Sequence, residues 1–171
     1  MSVLTKDQIY GLLTDDAAPL EERLCITPIL DAKLQISEGS VDLRLANDFV
    51  TVNRSGLVAL DPVKESQLGR DLTEYQTSSR QRFGQPFYLH PRMFALASTL
   101  EYVCLPPQLM GYVIGRSSWG RLGLVIATAT MARAGFKGNL TLELANVGTL
   151  PIALYPCARI AQLVLHRLGP E

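Results

Sequence analysis

Histidine and cysteine are scarce in this chain of 171 residues, which has two of the first and three of the second. His90 and His166 are far apart, and Cys25, Cys104 and Cys157 form no C-x-x-C pair. A zinc centre needs three or four close nitrogen, sulfur or carboxylate ligands, so side-chain metal ligation is not expected and no zinc cofactor is assigned. Three cysteines in apolar or proline-marked surroundings read as reduced, mostly buried thiols of a cytoplasmic protein. Net charge is missing too, since sixteen Lys and Arg balance sixteen Asp and Glu. A neutral chain has no global attraction for nucleic-acid polymer or anionic membrane, although a local arginine cluster still holds a phosphate group. No window reaches the eighteen apolar residues of a membrane span, and MSVLTKDQIYGLL lacks a signal peptide's basic start and apolar run, so a cytoplasmic location is expected. With 47% apolar and 19% charged residues, the composition is that of one ordered domain over residues 1–171.

What is present is a series of short apolar runs. Thr5 precedes KDQIYGLL, with Ile9, Leu12 and Leu13 at helical spacing, which predicts a short N-terminal helix. From Ser40 the period becomes two: Val41, Leu43 and Leu45 alternate with Asp42, Arg44 and Ala46 before FVTVN, as in a strand pair or one long bent strand. Residues 61–82 are polar and weakly periodic, a surface excursion with one helical turn. Then come PFYLH, MFALASTLEYVCL, LMGYVIG, LGLVIATAT, NLTLELANV, LPIALY and ARIAQLVLHRL, each bounded by Gly, Pro or Asn. Such spacing predicts a mostly β sandwich or barrel without a parallel sheet. LGLVIATATMA and ARIAQLVLHRL are apolar on both strand faces, so a second sheet or another subunit is expected to cover them.

The order GSVDLRLANDF, FYLHP, LPPQLMGYVIGRSSWGRLGL and GFKGNLTLELANVGTLPIALYPCARIAQLVLHRL resembles the deoxycytidine triphosphate deaminases of the dUTPase-like superfamily, in register from about residue 39 to 168. The resemblance implies a distorted jelly-roll or β-barrel subunit in a homotrimer, with sites at subunit interfaces. It implies hydrolytic deamination of dCTP to dUTP and ammonia without zinc, any Mg2+ arriving on the nucleotide's triphosphate. It assigns Glu143 as proton shuttle, Ser117 to the attacking water, and Arg121 to fixing Glu143 and that water. Arg116 and Ser118 take the triphosphate, Ser117, Arg133 and Gln162 join the substrate-binding set, and backbone groups of Ala127, Thr128, Ala129 and Thr130 grip the cytosine edge. The residues by themselves leave plainer readings open. Glu143 shares a strand face with Thr141 and reads equally as a solvated outer residue, whereas burial would raise its proton affinity. GRSS alone is an ordinary polar turn, Asp42 and Arg44 read as an ion pair on one strand face, His90 as a turn residue, and Trp119 as interface packing.

The chain departs from the family pattern after LGL, where IATATMARAGF lacks the loop's histidine and its aspartate-proline pair. Arg133 or Ala134 stands where the aspartate meets the sugar's 3′-hydroxyl. A dUTPase uses the equivalent aspartate to activate water, and neither replacement is a base, so pyrophosphate release is expected to suffer more than deamination. A counterpart of the family's basic and aromatic tail is not expected after HRLGPE. The competing expectations are a non-catalytic nucleotide-binding or regulatory trimer, and a dUTPase.

Overall fold

Strand β3 (Ser40–Val52) shows how the alternating sequence is used. Its apolar set, Val41, Leu43 and Leu45, is fully buried, and its second face is buried as well: Asp42 and Arg44 are only 4% and 5% exposed. They do not pair with each other as the sequence suggested. Arg44 Nε donates to Glu101 Oε1 at 2.6 Å, while Asp42 accepts from Arg116 at 2.8 Å, so each charge meets a different partner across the sheet.

The computed structural model describes residues 2–15, 17–19, 22–52, 61, 63, 72–127 and 131–169. Its elements in chain order are β1 (Ser2–Val3), α1 (Lys6–Leu13), β2 (Cys25–Thr27), α2 (Ala32–Gln35), β3, a 3-10 turn (Leu72–Tyr75), β4 (Gln76–Arg80), β5 (Phe87–Leu89), β6 (Phe94–Cys104), β7 (Leu109–Gly115), α3 (Ser117–Gly120), β8 (Leu124–Ile126), β9 (Met131–Ala132), β10 (Lys137–Asn146), β11 (Ile152–Leu154) and β12 (Arg159–Arg167). The main sheet runs β8-β10-β6-β3-β12-β7-β9, with β1 on β12, β2 on β6 and β4 on β3; β5 and β11 form a separate pair. Among the described residues every strand pairing is antiparallel. The sheet curls until β7 meets β8, where the Ile126 side chain lies 3.6 Å from the point a Cβ on Gly115 would occupy. This curled half-barrel is the mostly β architecture that the run spacing predicts.

Inside the curl, Leu43, Leu45, Phe49, Leu142, Leu144, Leu163 and Leu165 are fully buried. Each such side chain contributes about 1.5–3 kcal/mol of transfer free energy. Phe49 and Phe87 stack with centroids 4.2 Å apart, joining the small β5–β11 pair to the main sheet. The N-terminal helix forms as expected. Gln8 N donates to Thr5 Oγ1 and Thr5 N to Gln8 Oε1, a reciprocal cap that seats the fully buried Ile9 against the sheet.

Two expectations need correction. The polar stretch 61–82 is not all excursion: Gln76–Arg80 pairs with β3 as a strand. Its side chains are largely exposed, and polar side chains on a strand at the margin of a sheet resist further pairing, so the composition looked like loop. The cysteines are not mostly buried either, since Cys25 and Cys157 are exposed and Cys104 is half-buried. Cys25 starts a strand that, among the described residues, pairs with β6 alone, and Cys157 occupies a turn at φ 70°.

Glu101 is fully buried and accepts from Arg44 N at 2.7 Å, Arg44 Nε at 2.6 Å and Gln35 Nε2 at 3.3 Å. Removing the cation leaves a buried charge uncompensated. Arg44→Met is therefore expected to lower stability by about 3–5 kcal/mol, read from urea unfolding midpoints.

Candidate functional site

Strand β7 ends at Gly115, and the next residue turns the chain into α3: Arg116 N donates to Ile160 O at 2.9 Å, and Arg116 O accepts from Trp119 N at 3.0 Å. Trp119 packs partly buried against the core of the same chain, its Nε1 donating to Arg159 O at 2.9 Å. This short turn is thereby fixed to β12. Ser117, Ser118 and Arg121 are left exposed on it, with Arg121 N donating to Ser117 O. The following loop is held by Gly123, which has φ 91°; a Cβ there would stand 2.7 Å from Gly148 N. Val147 N donates to Gly123 O at 2.9 Å across this close approach, which no other residue permits.

Behind α3 lies a cluster centred on Asp42. Its Oδ2 accepts from Arg116 Nη1 at 2.8 Å and Arg159 Nη1 at 3.1 Å, and its Oδ1 accepts from Gln162 Nε2 at 2.9 Å. The carboxylate is 6% exposed, whereas the two arginine side chains are 29% and 36% exposed. One buried negative charge thus aligns two cations and an amide whose outer surfaces still reach solvent. Two guanidinium groups against one carboxylate leave the cluster with excess positive charge, in the geometry that suits an anion.

Arg116 and Gln162 are brought together on Asp42, with Arg159, which the sequence reading did not single out, as the third donor. Strict alternation separates Arg159 from Gln162. A register shift between Arg159 and Ala161 restores them to one face, Arg159 opposite Arg44 and Gln162 opposite Asp42. A bulge of this kind has no signal in the residue types of ARIAQL.

Glu143 sits on β10, opposite Leu96 on β6, and its carbonyl accepts from Ala127 N at 2.9 Å. Leu142 and Leu144 point into the core; Glu143 is half-buried and Thr141 exposed on the other face, as the alternation predicted. Glu143 lines a hollow of about 220 Å³ with Met131, Ala132, Phe136, Asn139, Leu140 and Thr141. A bulge between Asn139 and Thr141 shapes its floor. Thr99 holds this bulge, its Oγ1 accepting from Leu140 N and its carbonyl from Asn139 Nδ2, both at 2.9 Å. Ala127 is exposed at the margin, while Thr128, Ala129 and Thr130 lie outside the described residues. Arg133 is exposed in the turn whose carbonyl accepts from Phe136 N at 3.0 Å, and it does not line the hollow. Nor do Arg116, Ser117, Ser118, Arg121 or Gln162. The chain therefore presents two groups, the Asp42 cluster with α3 and the Glu143 hollow. His90 is an exposed turn residue, and His166 packs edge-on against Tyr112 at 5.2 Å. Among the described residues no three His, Cys, Asp or Glu side chains are grouped to hold a metal ion, and no helix is long and apolar enough to cross a membrane.

Among the described residues the chain is a curled antiparallel sheet with an arginine–glutamine cluster on its β3–β12–β7 strip. The solved 2′-deoxycytidine 5′-triphosphate deaminase from Agrobacterium tumefaciens superposes with a TM-score of 0.70 at 22% identity, covering 98% of this chain and 48% of that one. This chain spans about half of that structure, and the likeness establishes the fold. A family model described as dCTP deaminase-like matches residues 6–168, and the chain belongs to that family. Its relatives include a dCTP deaminase of Natronomonas pharaonis, 42% identical over 86% of this chain and 74% of that one. Another, a "dCTP deaminase, dUMP-forming" of Dictyoglomus turgidum, is 45% identical over 87% and 75%.

Because the arginines can rehydrate when Asp42 is lost, Asp42→Ala is expected to cost only about 1–3 kcal/mol, less than Arg44→Met, as read by chemical unfolding. Gly123→Ala meets backbone at 2.7 Å as well as the strain of its positive φ. Its expected cost exceeds about 1 kcal/mol, measured as a lowered Tm.

Proposed function

We propose that this protein deaminates dCTP, presented with Mg2+ on its triphosphate, to dUTP and ammonia, with Glu143 moving the proton and no zinc taking part. The observation that carries the reading is the half-buried Glu143, set between the buried Leu142 and Leu144 and lining a hollow, in a chain of the dCTP deaminase-like family. Water held by the Ser117 hydroxyl adds through oxygen to C4 of the ring. Glu143 accepts the first proton that the water loses and delivers it to ring N3, then takes the second from the new C4 hydroxyl and delivers it to the C4 amine. The C–N bond breaks, ammonia departs, and the C4 carbonyl remains. Arg121 holds Glu143 and the water by charge-assisted hydrogen bonds. Arg116, Ser118 and Gln162 take the triphosphate, and the Ala127 segment faces the cytosine edge. Arg116, Arg121, Ser117 and Glu143 are divided between two groups within one subunit, which supports sites completed by a neighbour in a homotrimer. Ile114, Val125 and Met131, 45%, 41% and 48% exposed at the ends of the sheet, then become contact surface. Light scattering is expected to return the mass of three subunits.

The relatives named as dUMP-forming favour a second reading in which diphosphate is also released. That step needs a base to activate water, and Arg133 in the loop supplies none. The expected product is therefore dUTP.

Pure protein incubated with dCTP and Mg2+ is expected to yield dUTP by ion-exchange chromatography. Glu143→Gln is expected to lower the rate by about 10²–10⁴-fold while dCTP still binds in calorimetry. No product from the unaltered protein contradicts the proposal, and dUMP with diphosphate supports the second reading.

A further inference from the structure

Cys25 and Cys104 face each other directly across the β2–β6 pair. Opposed residues in an antiparallel pair have Cα atoms about 4.5–5.5 Å apart, inside the roughly 4.4–6.8 Å that a disulfide spans. Their side chains emerge on the same face, and both line one cavity of about 720 Å³ together with Tyr10, Tyr102 and Lys137. Both are free thiols, one exposed and one half-buried. Burial, and after it the Cys104 sulfur, push the Cys25 thiol up from its ordinary value, a sign that the two sulfurs sense one another. Cys25 opens β2 and Cys104 closes β6, so both stand at strand ends. There the backbone can yield the roughly 1 Å by which cross-strand Cβ atoms must close to bridge. Lys137 stands opposite Cys104 on β10, setting a cation beside the pair.

We infer that Cys25 and Cys104 form a modification site, a cross-strand dithiol that hydrogen peroxide converts to a disulfide. One thiolate attacks a peroxide oxygen; the O–O bond breaks, the leaving oxygen takes a proton and departs as water, and a sulfenic acid remains. The second thiol attacks that sulfur, the S–S bond forms, and the sulfenic oxygen leaves as a second water with the second thiol's proton. The thiols lose two electrons and the peroxide gains them. Lys137 stabilises the negative charge that develops in the first attack. The bridge pins β2, and directly after β2 the Pro28 carbonyl accepts from Arg44 Nη2 at 2.6 Å. Cys157, exposed in its separate turn, serves as an internal control.

The test is intact mass and peptide mapping of the reduced full chain after titration with hydrogen peroxide. The expected result is a monomer lighter by about 2 Da, the two thiol hydrogens. Titratable thiols fall from three to one, a peptide links Cys25 to Cys104, and Cys157 still alkylates. Dithiothreitol reverses the change, and Cys25→Ser or Cys104→Ser each abolishes the mass loss. Oxygen atoms added to separate cysteines without a linked peptide, or a bridge that uses Cys157, overturn the inference.

Discussion

The arrangement depends on the buried ion pair between Arg44 and Glu101. A carboxylate with no solvent access is tolerable only when donors surround it. Glu101 has the Arg44 main-chain N–H, the Arg44 guanidinium and the Gln35 amide. The β3–β6 register runs as far as Leu45 opposite Thr99, and one step further the Glu101 carboxylate takes the place of a backbone acceptor. Strand β3 is thus locked to β6 by a charge. The same Gln35 amide reaches the Asp42 carbonyl at 3.4 Å, so the constraint extends along β3 to the carboxylate that aligns Arg116, Arg159 and Gln162.

This linkage explains why polar residues occupy a buried strip of sheet. Apolar replacements would pack β3 as well, but only charged groups on this strand can reach across to β12 and the end of β7 and hold guanidinium groups at fixed angles. Arg116 and Arg159 share one carboxylate oxygen and remain about one-third exposed. Their rotamer entropy is given up during folding, so a triphosphate in the proposed reaction meets cations already oriented. The Glu143 hollow is prepared differently. Thr99 pins a bulge in β10, and apolar neighbours partly shield the carboxylate from water.

Much of this was legible in the sequence. Period-two patterning and turn residues gave the strands, and GRSSWGR with LTLELAN gave the family and its candidate residues. The tertiary uses of individual charges were not legible. Asp42 and Arg44 are two apart on one strand, and nothing local reveals that each pairs with a residue distant in the chain. Glu101 was hidden inside the apolar run LASTLEYVCL, and Arg159 was displaced from strict alternation by a bulge. QTSSR pairs as a strand despite its composition, because exposure, not hydrophobicity, shaped it. In each case the sequence records residue type, while the deciding quantity is which partner the curled sheet brings opposite.

The most direct test of the account is to run the reaction with dCTP in water enriched in the heavy oxygen isotope and locate the label by mass spectrometry. Hydrolytic deamination assisted by Glu143 places solvent oxygen at C4 of the product base and leaves the phosphates unlabelled. Label confined to phosphate, or a nucleotide recovered unchanged while still bound, would contradict it.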